Sequence, residues 1–187
     1  MKKSSGQFMD ILIRYLILIV VALPHLWIFY FLFAPLTIYP VYFLLNLFFN
    51  SSLIGEVVLV EDCFPIEMVG ACIAGSAYYL LLMLNLSTPK IKFRKRINMI
   101  FLSFISLLLI NILRIFLLSL IFISGSPWYD ATHKLFWYSL SIIFVVGIWF
   151  TEVKYFKIKE VPFYSDIRFL YKNSLLNKKS SKKKKIN

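Results

Sequence analysis

Cys72, Arg114 and His133 stand on three successive apolar stretches of this 187-residue chain. A cysteine thiolate is a strong nucleophile at neutral pH, and a nearby cation favours its ionisation. An imidazole can take up a proton and later return it to a departing amine. A guanidinium stays charged, and in a water-poor cleft it can hold a tetrahedral oxyanion or a substrate carboxylate. Acyl transfer uses all three. Asn111 lies three residues before Arg114 on the same helical face, and Asp130 one turn before His133, so each is expected to support its neighbour.

Each residue also has a plain structural explanation. A lone cysteine in a membrane helix is usually a small packing residue, and His133 near a helix entrance could sit at the interface. Arg114 is harder to dismiss, because a charge deep in an apolar span costs about 2.5 to 3.5 kcal/mol on insertion scales. His25 reads as a structural or secondary residue. Cys63, next to Asp62, has acidic neighbours in sequence and is the poorer nucleophile.

The elements that must position these residues follow from composition. The chain is 60% hydrophobic, with Phe, Leu and Ile in long blocks, which describes an all-α polytopic membrane protein. About four transmembrane helices are expected, with a short interfacial or re-entrant segment and both termini cytoplasmic. The net charge of +12 sits beside apolar spans and in the tail, where anionic lipid headgroups are nearer partners than nucleic acid. Two cysteines supply neither a disulfide framework nor a zinc ligand set. No cofactor or metal is expected.

In chain order, residues 11–34 read as a first span, with Arg14 snorkelling to the near interface and Pro24 bending the helix. Lys2 and Lys3 before this run resemble a signal peptide, but the run is too long and lacks a cleavage site, so it is read as a retained span. Pro35 and Pro40 are expected to end the helix, leaving residues 41–49 interfacial or re-entrant. Residues 51–65 form a loop, with EVVLVED a short extended piece. Residues 66–86 are a second span, and residues 70–77 in it are nearly all small, a surface suited to a cleft. Gly75, Ser76 and Tyr79 are the expected cleft residues.

A third span covers residues 97–123, and a fourth runs from Pro127, which Ser126 can cap, to about Glu152. Of the 21 basic residues, all but Arg114 and Lys134 fall at the N-terminal end, in the loop 90–96 or in the tail. The positive-inside rule puts those segments in the cytoplasm. On a rise of 1.5 Å per residue, Cys72 and His133 lie about 9 Å below the outer face and Arg114 about 14 Å. Residues 1–151 therefore read as a membrane domain with its reactive layer near the extracytoplasmic face of the cell membrane, and residues 152–187 as a basic cytoplasmic tail whose end is disordered.

At ACIAGSAYYLLLML, then NILR, then DATH, the sequence resembles the exosortase and archaeosortase family of membrane-embedded cysteine transpeptidases, most closely its small archaeal members. The resemblance covers roughly residues 35–151. The order Cys, Arg, His on successive spans is its specific part. Many members have Ser or Thr and then Gly after the cysteine, whereas this chain has Ile73, Ala74 and Gly75. The resemblance implies Cys72 as nucleophile, Arg114 as electrostatic partner and His133 as general base and acid. It also implies exported protein substrates with a C-terminal hydrophobic helix and basic cluster, transferred to an amine or hydroxyl of a membrane lipid or other anchor. Two rival readings are an outer-face thiol oxidoreductase using Cys63 and Cys72, and a non-enzymatic membrane assembly factor or small transporter subunit.

Overall fold

The fold is that of a computed structural model, which describes residues 2–23, 25–137, 141–158 and 162–173. It is mostly helical, with one small sheet. Helix α1 (Lys2–Ala22) and helix α2 (Trp27–Phe48) are followed by strands β1 (Ser51–Ile54), β2 (Val57–Val60) and β3 (Phe64–Glu67). Then come α3 (Gly70–Ile73), α4 (Gly75–Leu86), α5 (Phe93–Ile123), α6 (Tyr129–Leu135), α7 (Ser141–Tyr155) and α8 (Tyr164–Asn173).

Two helices, α2 and α5, are long and apolar enough to cross a membrane, and Gly70–Leu86 is a shorter apolar helical stretch. The spans drawn from sequence are redrawn in several places. The first is broken between Ala22 and Trp27, where His25 and Leu26 take left-handed backbone angles; Pro24 itself lies outside the described residues. Pro35 and Pro40 do not end a helix but lie inside α2. Of residues 41–49, expected as an interfacial or re-entrant piece, 41–48 are the last third of α2 and Phe49 is its C-cap.

Local proline penalties lose here to packing. Phe33 stacks on Tyr78 with centroids 3.7 Å apart, and Phe104 meets both rings edge-on. This aromatic block joins α2, α4 and α5, and one helix through both prolines is what delivers Phe29 and Phe33 to it at one end and Val41 and Leu45 to the core at the other.

The expected loop is a three-stranded antiparallel sheet in the order β1-β2-β3, in which the piece expected to be extended, EVVLVED, supplies β2, so the fold is not all-α. Val57, Val58 and Val60 favour a pleated strand, and Val58 and Val60 are fully buried. Gly55 takes φ +64 at the first central position of the two-residue turn between β1 and β2. Glu61 and Asp62, both with φ 53, make the next turn, closed by the Cys63 N–H on the Val60 carbonyl.

The second span is not one continuous helix. Ile66 and Glu67 belong to β3, and the helix is interrupted at Ala74, a left-handed residue with φ 59 between α3 and α4. A Cβ at Gly75 would stand 2.8 Å from Tyr30 Cζ, so only glycine lets α4 approach α2 this closely.

Helix α5 buries Met99, Ser103, Leu107, Asn111, Ile115 and Ser119, a stripe repeating every four residues that faces the other helices. Ser103 meets Asn85 of α4, whose Nδ2 also donates to Glu152 of α7 at 3.2 Å. The stretch expected as a fourth span contains α6 and α7, with residues 138–140 outside the described residues.

Arg14 does not snorkel. It is 3% exposed, donates to the Leu86 carbonyl at 2.9 Å and forms a two-pronged ion pair with Asp166 of α8. Arg96 donates to the Thr88 carbonyl, and Lys95 to that of Phe156, tying the start of α5 to the α4–α5 loop and to the end of α7. The first residues of the expected tail complete α7 and a docked helix, α8, follows; residues 174–187 lie outside the described residues.

Candidate active site

A cavity of about 190 Å³ opens where the end of β3, α3, the C-terminal third of α5 and α6 meet. Cys72, Arg114 and His133 all line it. Each reaches it for a local reason. Cys72 sits in the single turn of α3, closed by its own N–H on the Val69 carbonyl at 2.7 Å, just before the chain breaks at Ala74. Arg114 leaves α5 one residue before the buried stripe position Ile115 and lines the same cavity as Cys72. His133 is held between rings one turn away on either side: Tyr129 stacks on it at 5.6 Å and 13°, and Trp137 meets it edge-on at 6.1 Å.

Asn111 serves the site differently from expectation. Its Nδ2 donates to the Cys72 carbonyl at 2.7 Å, so it holds the backbone that carries the thiol. Asn111→Ala leaves that carbonyl without its partner and loosens the short turn. If the Cys72 sulfur is the reacting group, activity is expected to fall about tenfold in kcat with KM little changed, the range for one lost buried hydrogen bond. Steady-state kinetics of the detergent-purified protein measure this, and an unchanged kcat would remove Asn111 from the site.

The other expected residues are not at the cavity. Asp130 is exposed on α6 and does not line it. Gly75 packs under the Tyr30 ring, Ser76 is exposed, and the Tyr79 hydroxyl donates to the Leu18 carbonyl of α1 at 3.3 Å. The small-residue surface thus accommodates Tyr30 of α2, and Tyr79 beyond it meets α1. Cys63 lies exposed in the β2–β3 turn, outside the cavity, and both cysteines are free thiols.

Residues not singled out from sequence complete the walls: Glu67 from β3, Ser119 from α5 and Tyr129 from α6. Ser119 stands two steps along the four-residue stripe from Asn111, and Tyr129 one turn from His133, so both could have been found by helical spacing. Glu67 could not, because residues 66–86 read as one helix. Ile115, Leu118 and Phe122 make the remaining wall apolar, a setting that strengthens charge interactions with a bound carbonyl.

The arrangement is a thiol, a guanidinium and an imidazole converging on one pocket in a mostly helical protein with membrane-length apolar helices. Comparison with protein-family models, curated proteins and solved structures finds no match.

Proposed function

We propose that the protein is a membrane-embedded, sortase-like cysteine transpeptidase, as its resemblance to the exosortase and archaeosortase family implies. It cleaves a C-terminal sorting signal from exported proteins and passes them to an anchor. The observation that carries this is the convergence of Cys72, Arg114 and His133, from three elements far apart in sequence, on one cavity.

In this reading the chain crosses the membrane four times: through α1 with α2, α3 with α4, α5, and α6 with α7. The contacts of Arg14, Arg96, Lys95 and Asp166 gather the basic loop, the start of the tail and the ends of α4 and α7 at one end of the bundle. The positive-inside rule makes that end cytoplasmic. The cavity, near the opposite end of α5, then faces the extracytoplasmic layer, and the basic tail meets anionic lipid headgroups.

The Cys72 thiolate attacks the scissile carbonyl carbon, and the carbonyl electrons move onto oxygen, where the Arg114 guanidinium stabilises them. The tetrahedral species collapses, the C–N bond breaks, and His133 gives a proton to the departing amine. An acyl thioester remains on Cys72 while the hydrophobic tail of the substrate leaves. An amine or hydroxyl of a membrane component then attacks the thioester, His133 takes its proton, and the Cys72 thiolate is released. A thiol oxidoreductase would need Cys63 to meet Cys72, yet Cys63 lies outside the cavity.

C-terminal mass spectrometry of surface proteins tests the reading in cells carrying wild type, Cys72→Ala or Cys63→Ala. Intact hydrophobic tails are expected to accumulate with Cys72→Ala alone. Tails processed as in wild type in both variants would remove Cys72 as the nucleophile.

A further inference from the structure

We propose that the open edge of β3 is the docking strand for the extended segment of the substrate around its cleavage site. This deepens the peptidase reading and rests on it. In the order β1-β2-β3 the outer edges belong to β1 and β3, and β1 follows α2 directly and packs beside it. The β3 edge has no strand partner among the described residues, and Pro65, Ile66, Glu67 and Met68 line the cavity that holds Cys72.

The register settles which backbone groups this edge offers. Pro65 pairs in register with Leu59, Ile66 with Val58 and Glu67 with Val57. The Met68 N–H donates to the Glu56 carbonyl at 2.9 Å, so Met68 points its backbone groups towards β2. Antiparallel strands alternate, so Ile66 and Phe64 do the same, while Pro65 and Glu67 turn theirs outward. Proline fits this parity, because it lacks an N–H and is tolerated where that group would face away from the ladder. The edge therefore presents the Pro65 carbonyl and both the N–H and the carbonyl of Glu67. Pro65 and Glu67 are also exposed.

Unpaired strand edges bind extended peptides through main-chain hydrogen bonds, with side chains on alternate positions giving selectivity. The edge ends five residues before the nucleophile. A peptide laid along it is carried into the pocket with its backbone extended and its amides fixed, which helps to present a scissile carbonyl. The Glu67 carboxylate beside this track favours a basic or hydrogen-bond-donating substrate side chain and disfavours an acidic one. A substrate proline at the residue that donates to the Glu67 carbonyl is excluded.

Glu67→Pro separates the backbone from the side chain, with Glu67→Ala as its reference. Both lose the carboxylate, but only the proline loses the outward N–H, and neither loses a bond to β2. Processing of the exported substrate, followed by pulse–chase and C-terminal mass spectrometry, is expected to be about tenfold slower in Glu67→Pro than in Glu67→Ala, from one lost hydrogen bond and the clash of the ring with an incoming strand. Equal rates overturn the docking strand while leaving the peptidase reading intact, provided Cys72→Ala still blocks processing. Unimpaired processing in Cys72→Ala overturns both. Should Glu67→Pro fail to accumulate, p-benzoylphenylalanine in place of Glu67, in a Cys72→Ala background, decides the matter. Cross-links are expected in the substrate residues flanking its cleavage site, and cross-links confined to its hydrophobic tail overturn the proposal.

Discussion

Arg114→Gln is expected, on the proposed transpeptidase reading, to slow substrate processing by about two to three orders of magnitude, the usual loss when one oxyanion donor is removed. The same substitution should leave the protein inserted and at least as stable as wild type. Arg114 interrupts the most apolar stretch of α5, and replacing a charge there with a neutral side chain makes the helix easier to insert. Activity and stability therefore move in opposite directions, which a packing residue would not produce. Arg114→Lys should fall between the two, since the charge remains but the planar fork is gone. Pulse–chase processing beside thermal unfolding in detergent measures both. Loss of folding together with activity would assign Arg114 a structural role.

Asp166→Ala is expected to cost about 3 kcal/mol of stability, the low end of the range for breaking a buried ion pair from one side. Arg14 and Asp166 are each 3% exposed, and Nη1 and Nη2 of the arginine each lie 3.1 Å from a carboxylate oxygen. Removing the carboxylate leaves a buried guanidinium whose remaining partners among the described residues are the Leu86 carbonyl and the side chain and carbonyl of the exposed Asp10. The double variant Arg14→Met, Asp166→Leu should recover most of the loss, because apolar residues of similar volume carry no desolvation penalty. A double-mutant cycle by thermal unfolding in detergent gives the coupling. Limited proteolysis adds a local readout, since α8 should be cut first in Asp166→Ala. A shift indistinguishable from zero in that variant would mean that α8 does not dock through this pair.

These two residues also show how far local reading extends. Arg114 stood out because a charge within an apolar run is costly wherever the chain folds, so its presence demanded an explanation. Arg14 looked like an ordinary interfacial arginine. Its partner lies 152 positions away, and no local pattern joins α1 to a helix in the tail.

The prolines of α2 make the same point about helix boundaries. Pro35 and Pro40 disfavour a helix by removing donors and crowding the preceding turn, a penalty visible in sequence. Stacking of Phe33 on Tyr78 and burial of Val41 and Leu45 stabilise the uninterrupted helix, and those partners come from other elements. The expected cleft residues Gly75 and Tyr79 pack inside the bundle for a related reason. Small side chains at Gly70 to Ala77 announce a close approach, but Tyr30 of the chain itself makes it.

By itself the sequence determined the membrane-suited composition, the placement of the basic residues and the three residue types able to do acyl-transfer chemistry. Each of these depends on near neighbours or on bulk transfer energy. Tertiary structure alone decided that Cys72, Arg114 and His133 share a cavity, that Glu67 joins them from a strand edge, and that Asn111 holds the Cys72 carbonyl. Those depend on contacts between elements, where burial and pairing of distant groups outweigh local preference.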